Sequence, residues 1–151
     1  MLVPREHLQP SLQKLNDYLD SIGSYLSSSV ASGSAVALTS TTAANVTSLT
    51  LTEGEWDVSG AVGFLPAGST SITALAGGSS DTTATISTTG DAFVKASAAV
   101  VPGAVGQVIA IPTTRYVVAA GATATVYLVA RATFSVSTLG GFGKIQARRV
   151  A

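Results

Sequence analysis

Apolar residues near the N-terminus fall at Leu8, Leu12, Leu15, Leu19, Ile22 and Leu26, with spacings of 4, 3, 4, 3 and 4. On an α-helix these six occupy one narrow stripe. That is the seam of a coiled coil rather than the broad face by which a surface helix packs on its own domain. Pro10 suits the first turn, where its missing N–H costs nothing. The spacing predicts a helix over residues 10–28 and a self-association through those six side chains, with three strands compatible. An amphipathic helix packed on its own domain is the plainer alternative, because fewer than three heptads is short and Gly23 weakens the last turn. An uncharged Ser/Ala/Gly stretch follows, with the composition of a flexible linker. The chain thus divides into a helical oligomerisation and attachment segment (1–30), a Ser/Ala/Thr-rich linker (31–45) and a β domain (46–151).

Beyond the linker the period changes to two. Trp56, Val58, Gly60, Val62 and Phe64 share one face of a strand over residues 55–65. Further strand candidates are residues 46–52, 70–76, 82–87, 92–101, 105–111, 114–119, 123–136 and 142–150. Turn signals separate them at Pro66-Ala67-Gly68, Gly77-Gly78, Thr89-Gly90-Asp91, Pro102-Gly103, Ala120-Gly121 and Gly140-Gly141. Eight or nine strands at this spacing predict a mainly β fold, an antiparallel β-sandwich with the jelly roll as the best-fitting topology, preceded by the short N-terminal α-helix. Some strands, such as Tyr127-Leu128-Val129-Ala130, are apolar on both faces. Either identical subunits cover the second face, or water tolerates its small side chains.

Composition sharpens this picture. The 151 residues carry 8 basic and 8 acidic side chains, one histidine and no cysteine, while Ser and Thr supply 19 residues each. Such neutrality argues against nucleic-acid binding, and so apolar a chain should collapse rather than stay disordered. No apolar run reaches the length of a spanning helix without Gly or Pro breaks, so membrane insertion is not expected, and no secretory signal is apparent. The zero net charge also conceals an order. Five acids and no base lie between Glu53 and Asp91, and six bases and no acid between Lys95 and Arg149. Strands from both halves interleave in a sandwich, so structural ion pairs are expected among Glu55, Asp57, Arg115, Arg131 and Arg148. Arg131, at a strand centre, is expected to be partly buried against Asp57 or Glu55.

Little catalytic chemistry is available. The sole histidine, His7, lies outside the β domain, so no Ser-His-Asp arrangement can form within it. There is no zinc motif, phosphate loop or dinucleotide fingerprint, and no cofactor is expected; Gly140-Gly141-Phe142-Gly143-Lys144 reads as a turn. Glu55 and Asp57, two apart on one strand face, are the one carboxylate pair suited to glycoside hydrolysis or calcium. With no supporting motif, ion pairing is the default and the protein is not expected to be an enzyme.

The segments Trp56-Asp57-Val58-Ser59-Gly60, Pro112-Thr113-Thr114-Arg115 and Val126-Tyr127-Leu128-Val129-Ala130 resemble small virion proteins of tailed bacteriophages, as does the ending Gly143-Lys144-Ile145-Gln146-Ala147-Arg148-Arg149. The resemblance covers about residues 49–150 and contains no catalytic signature. It implies a structural component of the phage particle, made in the host cytoplasm and resident in the virion. Its partners would be further copies of itself, as a homotrimer, other tail, neck or capsid proteins, and a host-surface receptor. A trimeric fibre or spike attached through its N-terminal segment is the first role implied; a capsid decoration protein that stabilises the head is the second.

Overall fold

The computed structural model describes residues 9–87, 93–96 and 107–151. In chain order its elements are α1 (Gln9–Ser21), β1 (Tyr25–Val30), a 3-10 turn (Ser32–Ser34), β2 (Val36–Ala37), β3 (Ala44–Pro66), β4 (Ser71–Ser80), β5 (Phe93–Ala96), β6 (Gln107–Ser135) and β7 (Leu139–Arg149). The fold is mainly β. All pairings are antiparallel and join one seven-stranded sheet of order β1-β7-β3-β6-β4-β5, with β2 beside β7.

Two strands are far longer than the usual five or six residues: β3 has 23 and β6 has 29. They run side by side and bend at a common corner. There Thr52 pairs with Thr123 and Gly54 with Val118, so Glu53 alone opposes residues 119–122. This extra chain is a bulge, which sharpens twist and lets one strand serve two layers. Gly121 takes a left-handed φ of 73°, which glycine adopts without steric cost. The Glu53 carboxylate accepts the Gly121 N–H at 2.6 Å and fixes the corner.

Bending folds the sheet onto itself. On one side of the corner β1, β7, residues 54–66 of β3 and residues 107–118 of β6 form a layer. On the other side, residues 44–52 of β3, residues 123–135 of β6, β4 and β5 form the second. The layers face each other: a Cβ placed on Gly77 of β4 would lie 2.9 Å from Val62 Cγ2 of β3. Tyr116 of β6 also reaches across to donate to Ser79 Oγ of β4 at 3.1 Å. The shared core holds Leu49, Leu51, Trp56, Val58, Val62, Phe64, Ile72, Val126, Leu128 and Ile145. The alternating face from Trp56 to Phe64 is therefore the buried face, as its period requires.

Several glycine-rich sites expected to be turns are strand interiors. Gly77-Gly78 lies in β4, where Val62 packs against the bare Cα of Gly77. Gly140-Gly141 opens β7, because a Cβ on Gly140 would meet Ala35 at 2.8 Å and one on Gly141 would meet Leu38 at 3.3 Å. Ala120-Gly121 is the bulge. The expected strands 46–52 and 55–65 thus merge into β3, and 105–111, 114–119 and 123–136 merge into β6. Residues 82–87 form no strand. The turn signals at Thr89-Gly90-Asp91 and Pro102-Gly103, and most of the expected strand over 92–101, fall outside the described residues.

The N-terminal region is partitioned differently from the expected helix of 10–28 and linker of 31–45. Helix α1 ends at Ser21, and Gly23, at φ 87°, donates its N–H to the Arg149 carbonyl at 2.9 Å. Residues 25–30 then pair with β7 from Tyr25↔Arg148 to Val30↔Gly143. The hydroxyl-rich stretch satisfies its backbone as an edge strand, so the end of the expected helical segment belongs to the sheet, as do Val36, Ala37, Ala44 and Asn45 of the expected linker. Val129, on the outer face of β6, is also fully buried. Its register partner Asn45 donates to Thr83 Oγ1 and accepts from Ala84 N, both at 2.7 Å, holding residues after β4 over this face. The chain itself supplies that cover.

Candidate functional site

Two surface features gather the residues singled out from the sequence. The first is the helix. Leu12, Leu15, Leu19 and Ile22 are 54%, 52%, 55% and 41% exposed, so the stripe does not pack on the sandwich. Leu8 lies outside the described residues. Leu26 does not belong to the stripe: it sits in β1, half-buried against the core. Its spacing fits the heptad, but Gly23 ends the helix before it.

The second feature is the outer face of the β1-β7-β3-β6 layer. Asp57 lies between two arginines, in register with Arg115 of β6 on one side and Arg148 of β7 on the other. Glu55 and Asp57 point the same way because they are two apart on one strand. Arg115 Nε donates to Asp57 Oδ1 at 2.5 Å and Nη1 to Glu55 Oε2 at 2.8 Å. Its hydrogen bond to Asp57, and then that to Glu55, hold the guanidinium above its ordinary pKa. With side chains 35–49% exposed, these pairs orient the face more than they stabilise the fold.

Arg131 does not join them. It is exposed, in register with Ala76 of β4, and lines a shallow hollow with Thr41 and Thr133. The corner at Thr52 and Gly54 explains this, since it sends Glu55 and Asp57 into one layer and Arg131 into the other. Arg148 is adjacent to Asp57 but makes no ion pair among the described residues. The two carboxylates share one guanidinium, which a cation or a glycosidic substrate would have to displace. Among the described residues no three His, Cys, Asp or Glu side chains gather as a metal site, and no helix is long and apolar enough to cross a membrane.

The same face carries residues that the sequence did not single out for a site. Tyr25 of β1 is 55% exposed and donates to Gln146 Oε1 at 2.9 Å. Gln146 Nε2 in turn donates to Ser59 Oγ at 3.2 Å. Lys144 Nζ stands 5.9 Å from the Tyr25 ring centroid, within cation–π range. Only the β1-β7-β3 register joins Tyr25 to Gln146 and Ser59. Compared with known proteins, the chain matches no family model, no curated protein and no solved structure.

Proposed function

We propose that this protein is a structural subunit of a tailed-bacteriophage particle. In this reading it is a homotrimeric fibre or spike, held to the tail or neck through its N-terminal segment and engaged in host attachment. The observation that carries the assembly is the exposed stripe Leu12, Leu15, Leu19 and Ile22, which projects from a sandwich that leaves it uncovered. A helix of 13 residues is marginal alone in water. Three copies tethered to folded β domains overcome this, because each tether raises the local concentration of the others. The particle context rests on the resemblance of residues 49–150.

We further infer a jelly-roll topology. When β3 and β6 are each counted as two segments at the corner and the two-residue β2 is left aside, eight segments result. One layer has the order first, eighth, third, sixth, and the other second, seventh, fourth, fifth. That order supports a jelly roll, a fold suited to a load-bearing subunit without itself specifying one.

Light scattering after size exclusion tests the assembly. The chain should elute with the mass of three copies, and Leu15→Asp should reduce it to one with the β domain intact by circular dichroism. A monomeric parent, or a trimer unaffected by Leu15→Asp and Leu19→Asp together, refutes assembly through the stripe. Mass spectrometry of purified particles tests the context. A dozen to a few dozen copies favours the fibre, hundreds favours head decoration, and none refutes the virion role.

A further inference from the structure

A groove of about 530 Å³ lies on the outer face of the β1-β7-β3-β6 layer, with Tyr25, Asp57, Ser59, Thr113, Gln146 and Arg148 in its lining. None of these side chains belongs to the hydrophobic core. Their arrangement is nevertheless specific. The Tyr25 hydroxyl donates to Gln146 Oε1, and Gln146 Nε2 donates to Ser59 Oγ, which fixes which end of the amide donates and stretches the phenol along β7. The result is a flat, half-exposed ring bordered by hydroxyls and an amide of defined polarity.

The charge on this face is unbalanced. Arg115 engages both Asp57 and Glu55. Arg148, in register between Tyr25 and Asp57, forms no ion pair among the described residues, and neither does Lys144 beside the Tyr25 ring. Two cations are therefore left flanking the aromatic surface. A nucleic-acid strand would need a longer basic track than this face offers, with Glu55 and Asp57 at its side. A hydrophobic peptide side chain seated here would have to desolvate the charged Asp57 and Arg148 of the lining.

We propose that this groove binds an acidic sugar, that is, a saccharide ring bearing a carboxylate or phosphate. The C–H face of the ring lies on Tyr25, the hydroxyls meet Gln146, Ser59 and Thr113, and the oxyanion meets the Arg148 guanidinium. An arginine fork pairs with either anion in two parallel hydrogen bonds. The volume falls within the range of small-ligand sites. This assignment does not depend on trimer formation or on a virion role, since every lining residue comes from one chain.

The test uses the full chain, fluorescently labelled, on a printed array of neutral, uronic, sialylated and phosphorylated glycans. Dextran sulfate and polyphosphate serve as sugar-independent polyanions. Hits are then titrated by calorimetry against the parent chain, Arg148→Gln and Tyr25→Ala, with Trp56 emission checking the fold of each variant. The expected result is binding of an acidic glycan at least about tenfold tighter than its neutral counterpart. Arg148→Gln should erase that preference, and Tyr25→Ala should weaken both partners about tenfold. The carboxylate and phosphate arms identify which anion is read. The assignment is overturned if no acidic glycan exceeds its neutral counterpart, if a hit survives both substitutions, or if the polyanions bind equally well.

Discussion

The closest approach of the two layers, where Val62 of β3 meets Gly77 of β4, makes the folded-over sheet testable. A methyl group added by Gly77→Ala would lie 2.9 Å from Val62 Cγ2 and 3.0 Å from Val62 Cβ. Carbon atoms prefer separations of about 3.5–4.0 Å, so the overlap is at least about half an ångström. Val62 is fully buried on a strand paired on both sides, and it has little room to retreat. Overpacking of this kind costs about 1–3 kcal/mol, so Gly77→Ala should destabilise by about 2 kcal/mol. Val62→Ala removes two methyl groups and leaves a small void, also costing about 2 kcal/mol. In the double variant the overlap with the valine methyls is gone, but the Cβ that remains at position 62 still lies 3.0 Å from the new methyl, so relief is partial. The total should then be about 3 rather than about 4 kcal/mol, a coupling of about 1 kcal/mol. Urea unfolding measures this directly, with emission from Trp56, the sole tryptophan and 2% exposed, as the probe. Protein concentration must be fixed throughout, because assembly would add to apparent stability. Strict additivity of the two substitutions would show that the layers do not touch here, and the folded-over sheet would have to be abandoned.

Two further expectations concern single hydrogen bonds. Burial raises the Tyr116 phenol above its ordinary value of 10.0, opposed by its hydrogen bond to Ser79. A group with a raised folded-state pKa contributes fully below its unfolded value and loses that contribution as pH rises through the folded one. Stability should therefore decline above about pH 10, and Tyr116→Phe should remove part of that decline while costing about 1 kcal/mol at neutral pH. An alkaline slope identical in both proteins would contradict this. At the corner, Glu53→Ala removes the acceptor of the Gly121 N–H and should cost about 1 kcal/mol. Hydrogen exchange should quicken at Gly121 more than at Val126 in the core, and equal protection in parent and variant would argue against the clamp.

Some of this molecule is legible in its local sequence because the signal and the structure share a period. Trp56, Val58, Val62 and Phe64 alternate, and a strand with one buried face needs nothing more. Leu12, Leu15, Leu19 and Ile22 recur at helical spacing, and they form one exposed stripe. Strand boundaries were less legible, for a reason visible at the glycines. A glycine at a turn and a glycine under a neighbouring side chain look alike in one dimension. Gly77 and Gly140 are of the second kind, with Val62 and Ala35 in the places their side chains would take.

Partnership is where tertiary structure decided the outcome. The sequence alone determined that acids cluster in one half of the β domain and bases in the other, and so that strands of the two halves could bring them together. It contained no measure of register. A two-residue step along a strand keeps the face but changes the neighbour, and a bulge can move the next stretch into another layer. The corner opposite residues 119–122 therefore gave Glu55 and Asp57 to Arg115 and carried Arg131 away. The same register set Tyr25, Gln146 and Ser59, far apart in the chain, side by side on one face. Periodicity is a local property and can be read locally; adjacency across strands exists only once the whole sheet has closed.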